Sequence, residues 1–479
     1  MADGGSGLWC PEPHVQGWTG EPHFDCDVCG RTGHQRFAIR DFLGRRINRN
    51  HVGCRDVDRE IEREAMRDEI ASQVGFASQE DATQEFSDGL LNASGTVTPE
   101  ISVVQTEYQI VVNEVPDWPH YLGVGIHFSG RLPSPEMSTA SFLDAYAQRV
   151  GLAYDSGVGM QRLGKSLTSR GVLALGSFNA FGIGSTSMGC LARSAADMVG
   201  ITTLKDVGGT DVSMNGYETQ FPKIADITVG ATLDRMEALL IQRLEEIDSW
   251  GVRGIMLDNS TPYPASVSGL FTATPAAQVA DATQFNLDWS AAMADWVGRA
   301  YDAVMDAFGV PGQLWINPGR TAWQQSTMNT WLGNFNENVG LLVEHFFSPL
   351  SATIRGQIID RCRTAKNPLV FVDYQTLSYA NWTTSTQSWK DRAAFMLVGC
   401  GGRSNSTGAV VPMYLSVGPN DSSTRNLSVA YTPIDALMAA IHALGPTASI
   451  SGTGSSPRTL TCDDGAVTLN LSTLASTWT

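Results

Sequence analysis

The chain has no apolar run approaching the ~20 residues needed to cross a bilayer, so no membrane span is expected among its 479 residues. It also lacks positive charge: 32 Lys and Arg stand against 49 Asp and Glu, giving a formal charge of −17 and a pI near 4.8. Nucleic acids and anionic membrane surfaces are held by basic faces, so neither is an expected partner. Lysine is scarcest, with five residues against 27 Arg, a bias that reads as genome composition more than function. The N-terminus, MADGGSGLWCPEP, has no basic segment followed by an apolar core. No secretory signal is therefore expected, and Met1 is expected to begin the working protein. What remains, 42% hydrophobic and 17% charged residues, is the composition of a globular chain of two or three domains.

Eight cysteines fall into two groups. Cys190, Cys362, Cys400 and Cys462 are scattered in apolar or helical surroundings and read as buried thiols. Cys10, Cys26, Cys29 and Cys54 crowd the first 54 residues beside His14, His23, His34 and His51. CDVCGRTGH is a C-x-x-C-G knuckle, a turn that aims two thiolates at one metal, and Cys10 with Cys54 completes a tetrahedral four-sulfur site. His34 or His51 are the substitutes for one of the four. A closed zinc site would staple a segment too short for its own core and would be structural; an iron–sulfur cluster and disulfides are the alternatives. Residues 55–75, RDVDREIEREAMRDEIASQVG, carry a thin apolar stripe between charged faces, expected to be a packing helix or the seam of a homo-oligomer. Residues 76–118 read as linker with one strand, EYQIVVNEV.

From about residue 120 the texture changes. YLGVGIHF, GVLALGSF, RGIMLDN, QLWINPG, GLLVEHFF, PLVFVDYQ and VPMYLSVG alternate with amphipathic segments such as TLDRMEALLIQRLEEIDSW. Continuous apolar strands separated by helices indicate a parallel sheet covered on both faces. Seven strands are clear, and FPKIADITVG is the expected eighth. Eight units over residues 119–446 predict an α/β fold of the TIM-like (β/α)8 barrel type. A doubly wound sheet is the alternative, but no glycine-rich phosphate loop follows the first strand. Residues 447–479 alternate Thr, Ser and apolar positions around turn residues. They predict a short β-rich segment, part of a sandwich or an edge packed on the barrel.

Barrel sites form at the C-terminal ends of the strands. Those ends carry His127, Asn179, Asp258 with Asn259, Asn317, Glu344 with His345, Asp373 with Tyr374, and Tyr414. Asp and Asn also cap turns, so the set matters more than any member. Glycoside cleavage needs two carboxyl groups, one to protonate the leaving oxygen and one to attack or to activate water. Asp258 on the fourth strand and Glu344 on the sixth are the preferred pair, with Asp258 as nucleophile or base. Glu344, in LLVEHFF, is the expected acid, because an apolar setting holds a carboxyl protonated. Asp373 is the runner-up. Trp289 and Trp296, at helical spacing, read as core. Trp323, Trp382, Tyr379, Tyr263 and Tyr374 are candidate platforms for sugar rings, with Asn259, Asn317 and His345 as polar ligands.

GVRGIMLDN, LWINPG, GLLVEHFF and VPMYLSVG together resemble a barrel family of hypothetical glycoside hydrolases, similar to alpha-galactosidase-like barrels, over residues 120–445. That resemblance implies fourth- and sixth-strand acids as the functional pair, and hence roles for Asp258 and Glu344. Neither acid sits in an extended motif. A glycan-directed barrel without an export signal fits a virion component released by lysis. The order of head, helix, linker and barrel resembles a phage tail appendage, whose head docks on other tail proteins while the barrel meets host-surface polysaccharide. The alternatives are a catalytically silent structural or receptor-binding tail protein and a free cellular glycoside hydrolase.

Overall fold

The computed structural model describes residues 139–155, 158–184, 189–264, 270–309, 312–419, 427–445 and 448–479, with five short strands upstream of them. The chain divides into two compact units, Met1–Glu107 and Tyr108–Thr479. In the first, His23–Asp25 pairs antiparallel with Thr32–His34, and Ile39–Arg40 with Arg46–Ile47. The predicted helix over 55–75, the strand EYQIVVNEV and Cys10, Cys26, Cys29 and Cys54 lie outside the described residues.

The second unit is built on eight parallel strands: β1 Leu122–His127, β2 Leu152–Asp155, β3 Leu173–Asn179, β4 Gly254–Asp258, β5 Gln313–Ile316, β6 Gly340–Glu344, β7 Leu369–Leu377 and β8 Met413–Pro419. They pair in chain order and β8 closes on β1, making a (β/α)8 barrel. The second strand differs from the sequence expectation. FPKIADITVG contributes only Lys223–Ile224, which pairs antiparallel with Gly182–Ile183 in the long connection after β3. The missing strand is LAYD, between β1 and β3. Four residues are too few to show a period, whereas Ile224, Ala225 and Ile227 are apolar because they are buried under that connection. Asp258 stays on the fourth strand.

Side chains alternate across each strand. Leu152, Tyr154, Leu175, Met256, Trp315, Leu342, Val370, Val372 and Tyr414 form one cluster, the barrel interior. Their neighbours Ile255, Leu257, Leu314, Ile316, Leu341, Val343, Leu369 and Phe371 belong to the larger layer between strands and helices. Trp315 packs edge-on against Tyr414, with ring centroids 5.6 Å apart. A Cβ at Gly340 would meet the Trp315 ring, so β6 must begin on glycine. The interior is filled, as in other barrels of this size.

Helices α1 Ala140–Ala147, α2 Val158–Thr168, α3 Gly230–Asp248, α4 Ala282–Phe308, α5 Ala352–Thr364, α6 Thr386–Cys400 and α7 Tyr431–His442 cover the strands. The 27-residue α4 is capped by Asp281, which accepts from Thr283 N and Gln284 N, and it stops at Gly309, φ 68°. Its buried face runs Phe285, Trp289, Met293, Trp296, Ala300, Val304, the three-to-four spacing of one helix side. Among the described residues no helix is long and apolar enough to cross a membrane. Cys190, Cys362, Cys400 and Cys462 are buried, as their apolar surroundings in the sequence implied.

The last residues form a four-stranded antiparallel meander, β9 Ala448–Ser451, β10 Arg458–Cys462, β11 Ala466–Leu469 and β12 Ser476–Trp478. Of the two expected placements it takes the second: it forms its own sheet and packs on the barrel. It lies on the outer helices: Asp391 of α6 accepts from Ser476 N at 2.8 Å, and Arg458 pairs with Asp360 of α5 at 2.9 Å.

Candidate active site

Alternation decides which strand-end polar groups face the barrel mouth. Asp258 lies two residues beyond the interior Met256, Asn317 two beyond Trp315 and Glu344 two beyond Leu342. Asn179 and Asp258 are register partners across β3 and β4. Inward polar side chains thus end four adjacent strands, β3 to β6, with Asn179 and Asn317 buried and Asp258 and Glu344 half-buried.

Asn317 joins the two acids. Its Nδ2 donates to Asp258 Oδ1 and to Glu344 Oε2, each at 2.9 Å. Its Oδ1 accepts from Gly319 N at 3.0 Å, which fixes the amide so that both N–H groups face the carboxyls. Gly319 has φ 77°, a conformation suited to glycine. Asp258 Oδ1 also accepts from Asn259 N at 2.9 Å. Burial and the neighbouring Glu344 charge push the Asp258 carboxyl up to about 6, against the pull of the Asn317 and Asn259 bonds. A raised carboxyl at Asp258 is not among the expectations drawn from the sequence.

Both acids are followed by a residue in the left-handed region. Asn259 has φ 62° and His345 φ 54°, left-handed values that few residues other than glycine adopt. At β4 the turn is pinned by Thr261 N donating to Asn259 O, Ser260 Oγ to Leu257 O and Trp289 Nε1 to Thr261 O. Met214, from the connection after β3, lies against the Nδ2 groups of both Asn179 and Asn259 at 3.8 Å. Its place on that connection left no mark in the sequence near Asp258. At β6, His345 N donates to Val372 O at 2.9 Å, and His345 Nε2 lies 3.6 Å from Glu344 Oε1.

Asp373 has the opposite parity and is fully buried between the strands and α6. Arg392 Nε meets its Oδ2 at 2.5 Å, Thr376 Oγ1 donates to the same oxygen, and Arg392 also reaches Thr376 Oγ1. This is an interior ion pair, not a member of the mouth.

The tryptophans are struts. Trp323 and Trp382 sit in the core, not in open loops. Trp323 Nε1 donates to Leu342 O at 2.8 Å and Trp382 Nε1 to Val417 O at 3.0 Å, which ties the helix after each strand to the next strand. Their faces are covered and offer no sugar platform. Tyr379, 37% exposed, and the half-buried Tyr263, whose hydroxyl bonds Thr327 Oγ1 at 2.5 Å, remain beside the strand ends. The Tyr374 side chain lies outside the described residues. Among the described residues no group of three or more His, Cys, Asp or Glu side chains forms a metal cluster.

No protein-family model and no curated protein matches the chain. Solved structures similar to it include a Bacteroidetes-affiliated GH5 cellulase, 9% identical, covering 66% of this chain and 86% of that one at a TM-score of 0.37. An N-terminal endo-1,4-beta-D-xylanase with CBM22-1 and GH10 modules from Clostridium thermocellum is 10% identical, covering 67% and 66%, at 0.38. A sugar phosphate isomerase/epimerase from Parabacteroides distasonis is 10% identical, covering 66% and 98%, at 0.33. Glycosidases and an epimerase appear side by side, so these likenesses carry no argument about chemistry.

Proposed function

We propose that the barrel is a retaining glycoside hydrolase whose two carboxyl groups are Asp258 and Glu344. The observation that carries this reading is the single Asn317 amide bonded to both. Two oxygens that each lie 2.9 Å from one nitrogen are separated by less than twice that distance. That is short of the ~6.5 Å at which a water fits between the acids of an inverting enzyme. Asp258, raised by burial, is the acid: its proton goes to the glycosidic oxygen as the C1–O bond breaks. Glu344 attacks C1 from the other face and forms a glycosyl ester. Asp258, now ionised, takes a proton from water, which attacks C1 and frees Glu344. These roles reverse those expected from the local sequence. Incubation with bacterial surface polysaccharide should release reducing ends, and the first-formed product should keep the substrate's anomeric configuration. Inversion would sink the nucleophile assignment, and binding without turnover on any glycan would leave a silent receptor-binding barrel.

We further infer a virion tail component that acts on host-surface glycan, a reading that rests on the order of head, helix, linker and barrel in the sequence alone. In the head, C-x-x-C spacing supports a structural zinc held by Cys10, Cys26, Cys29 and Cys54. The pairing of His23 with His34 brings together the ends of the segment that contains Cys26 and Cys29. Metal analysis of the full chain should find one zinc per chain, lost in Cys26→Ser, with the barrel's melting transition unchanged. Full occupancy in that variant would remove Cys26 from the site.

A further inference from the structure

Among the described residues three other than glycine have a positive φ: Asn259, His345 and Leu474. The first two follow the paired acids. Leu474, φ 61°, sits far from them in sequence, in the turn between β11 and β12. Asn470 organises that turn: its carbonyl accepts from Leu474 N at 2.8 Å and its side chain from Ser472 N and Thr473 N. Asn and His tolerate this backbone; a bulky Leu does so at a cost, and such strain persists only where the surroundings impose it.

Arg355 connects two of the three turns. It sits in the first turn of α5 and is 6% exposed. Its Nη1 donates to Leu471 O at 2.7 Å and Ser472 O at 3.2 Å, inside the Leu474 turn. Its Nη2 donates to Ser348 O at 3.3 Å. Ser348 N in turn donates to His345 O at 3.1 Å and closes the turn after Glu344. All its hydrogen-bond acceptors are carbonyls, none a carboxylate. Burial alone lowers its pKa. A charge buried against carbonyls is a poor choice where packing is the only need, since an apolar chain of that size costs less. The fork, however, reaches two segments at once, as a planar guanidinium can.

The sheet supplying those carbonyls is itself fixed. A Cβ at Gly356 would lie 2.0 Å from Gly454 O, so α5 and the meander are in direct backbone contact, and the Arg458–Asp360 pair adds a second tie. We propose that Arg355 is a positioning residue that holds the Glu344–His345 turn against the C-terminal meander, which makes the meander part of the active-site scaffold. The inference rests on the carboxylate pair being the working site, but its test does not need turnover.

Amide exchange on the full chain decides it. In Arg355→Met, the amides of residues 344–350 should exchange about tenfold faster than in the parent protein, with residues 254–259 unchanged. If that variant does not fold, Arg355→Lys keeps the charge and stem but lacks the fork, and the same readout applies. Faster exchange confined to residues 466–478 would mean that Arg355 only anchors the sheet, and overturns the proposal. So would unchanged exchange throughout. Where the parent protein turns over glycan, kcat should fall about tenfold with KM unchanged. A parent protein without turnover would sink the hydrolase reading and leave the exchange result standing.

Discussion

Glu344→Gln is expected to abolish glycoside turnover, on the order of 10⁵–10⁶-fold in kcat, as loss of a covalent nucleophile does. Asp258→Asn should cost less, roughly 10²–10⁴-fold, and least on substrates whose leaving group needs no proton. Asp258→Asn should also change stability. The Asp258 carboxyl rises from an ordinary 3.8 to about 6 in the fold. The folded chain therefore holds this proton more tightly than the unfolded chain does. The contribution is present below pH 4 and is lost as pH rises through about 6. At pH 7 the ionised, half-buried group costs on the order of 3 kcal/mol. Asp258→Asn should recover part of that at pH 7 and little at pH 4, measured by denaturant unfolding at the two values. The fall in kcat/KM as pH rises through about 6 should vanish in the same variant. A parent profile flat across pH 5–7 would count against Asp258 as the acid.

Much of this site was legible because a buried parallel strand is apolar on both faces, so a carboxylate ending such a run stands out. GIMLD and GLLVE show it directly. What a run does not show is parity. FVD ends on an acid just as MLD does, yet Asp258 follows the inward Met256 by two residues and Asp373 follows the outward Phe371 by two. Only the interior cluster tells these apart. The tryptophans misled for a related reason. An indole is as easily a strut as a platform, and its N–H partner is a backbone carbonyl that leaves no trace in the sequence. Trp323 donates to Leu342 O and Trp382 to Val417 O. LAYD escaped notice by its shortness. The bridging role of Asn317 depends on Gly319, two residues on, turning its amide, a local relation visible only once β5 and β6 are neighbours.

The ion pair beneath the mouth makes the opposite forecast to the acids within it. Asp373→Asn should destabilise the protein by about 3–5 kcal/mol, because it leaves the Arg392 charge buried and unmatched. Arg392 is held from three sides besides Asp373: its Nη1 bonds Ser388 O at 2.9 Å, its Nη2 bonds Thr376 Oγ1 at 2.7 Å, and its guanidinium lies 4.3 Å from the Phe347 ring centroid. It cannot swing out to water without giving these up. Asp373 Oδ1, buried with no hydrogen-bond partner, gains nothing from the mouth either. At a temperature where Asp373→Asn is still folded, its kcat should therefore stay within a few-fold of the parent. Pairing Asp373→Leu with Arg392→Met removes both charges and should recover much of the loss, the non-additivity of a true pair. A thousandfold fall in kcat in the folded Asp373→Asn variant would instead place Asp373 among the reacting groups. Parity, on that result, would have been the wrong guide to the mouth.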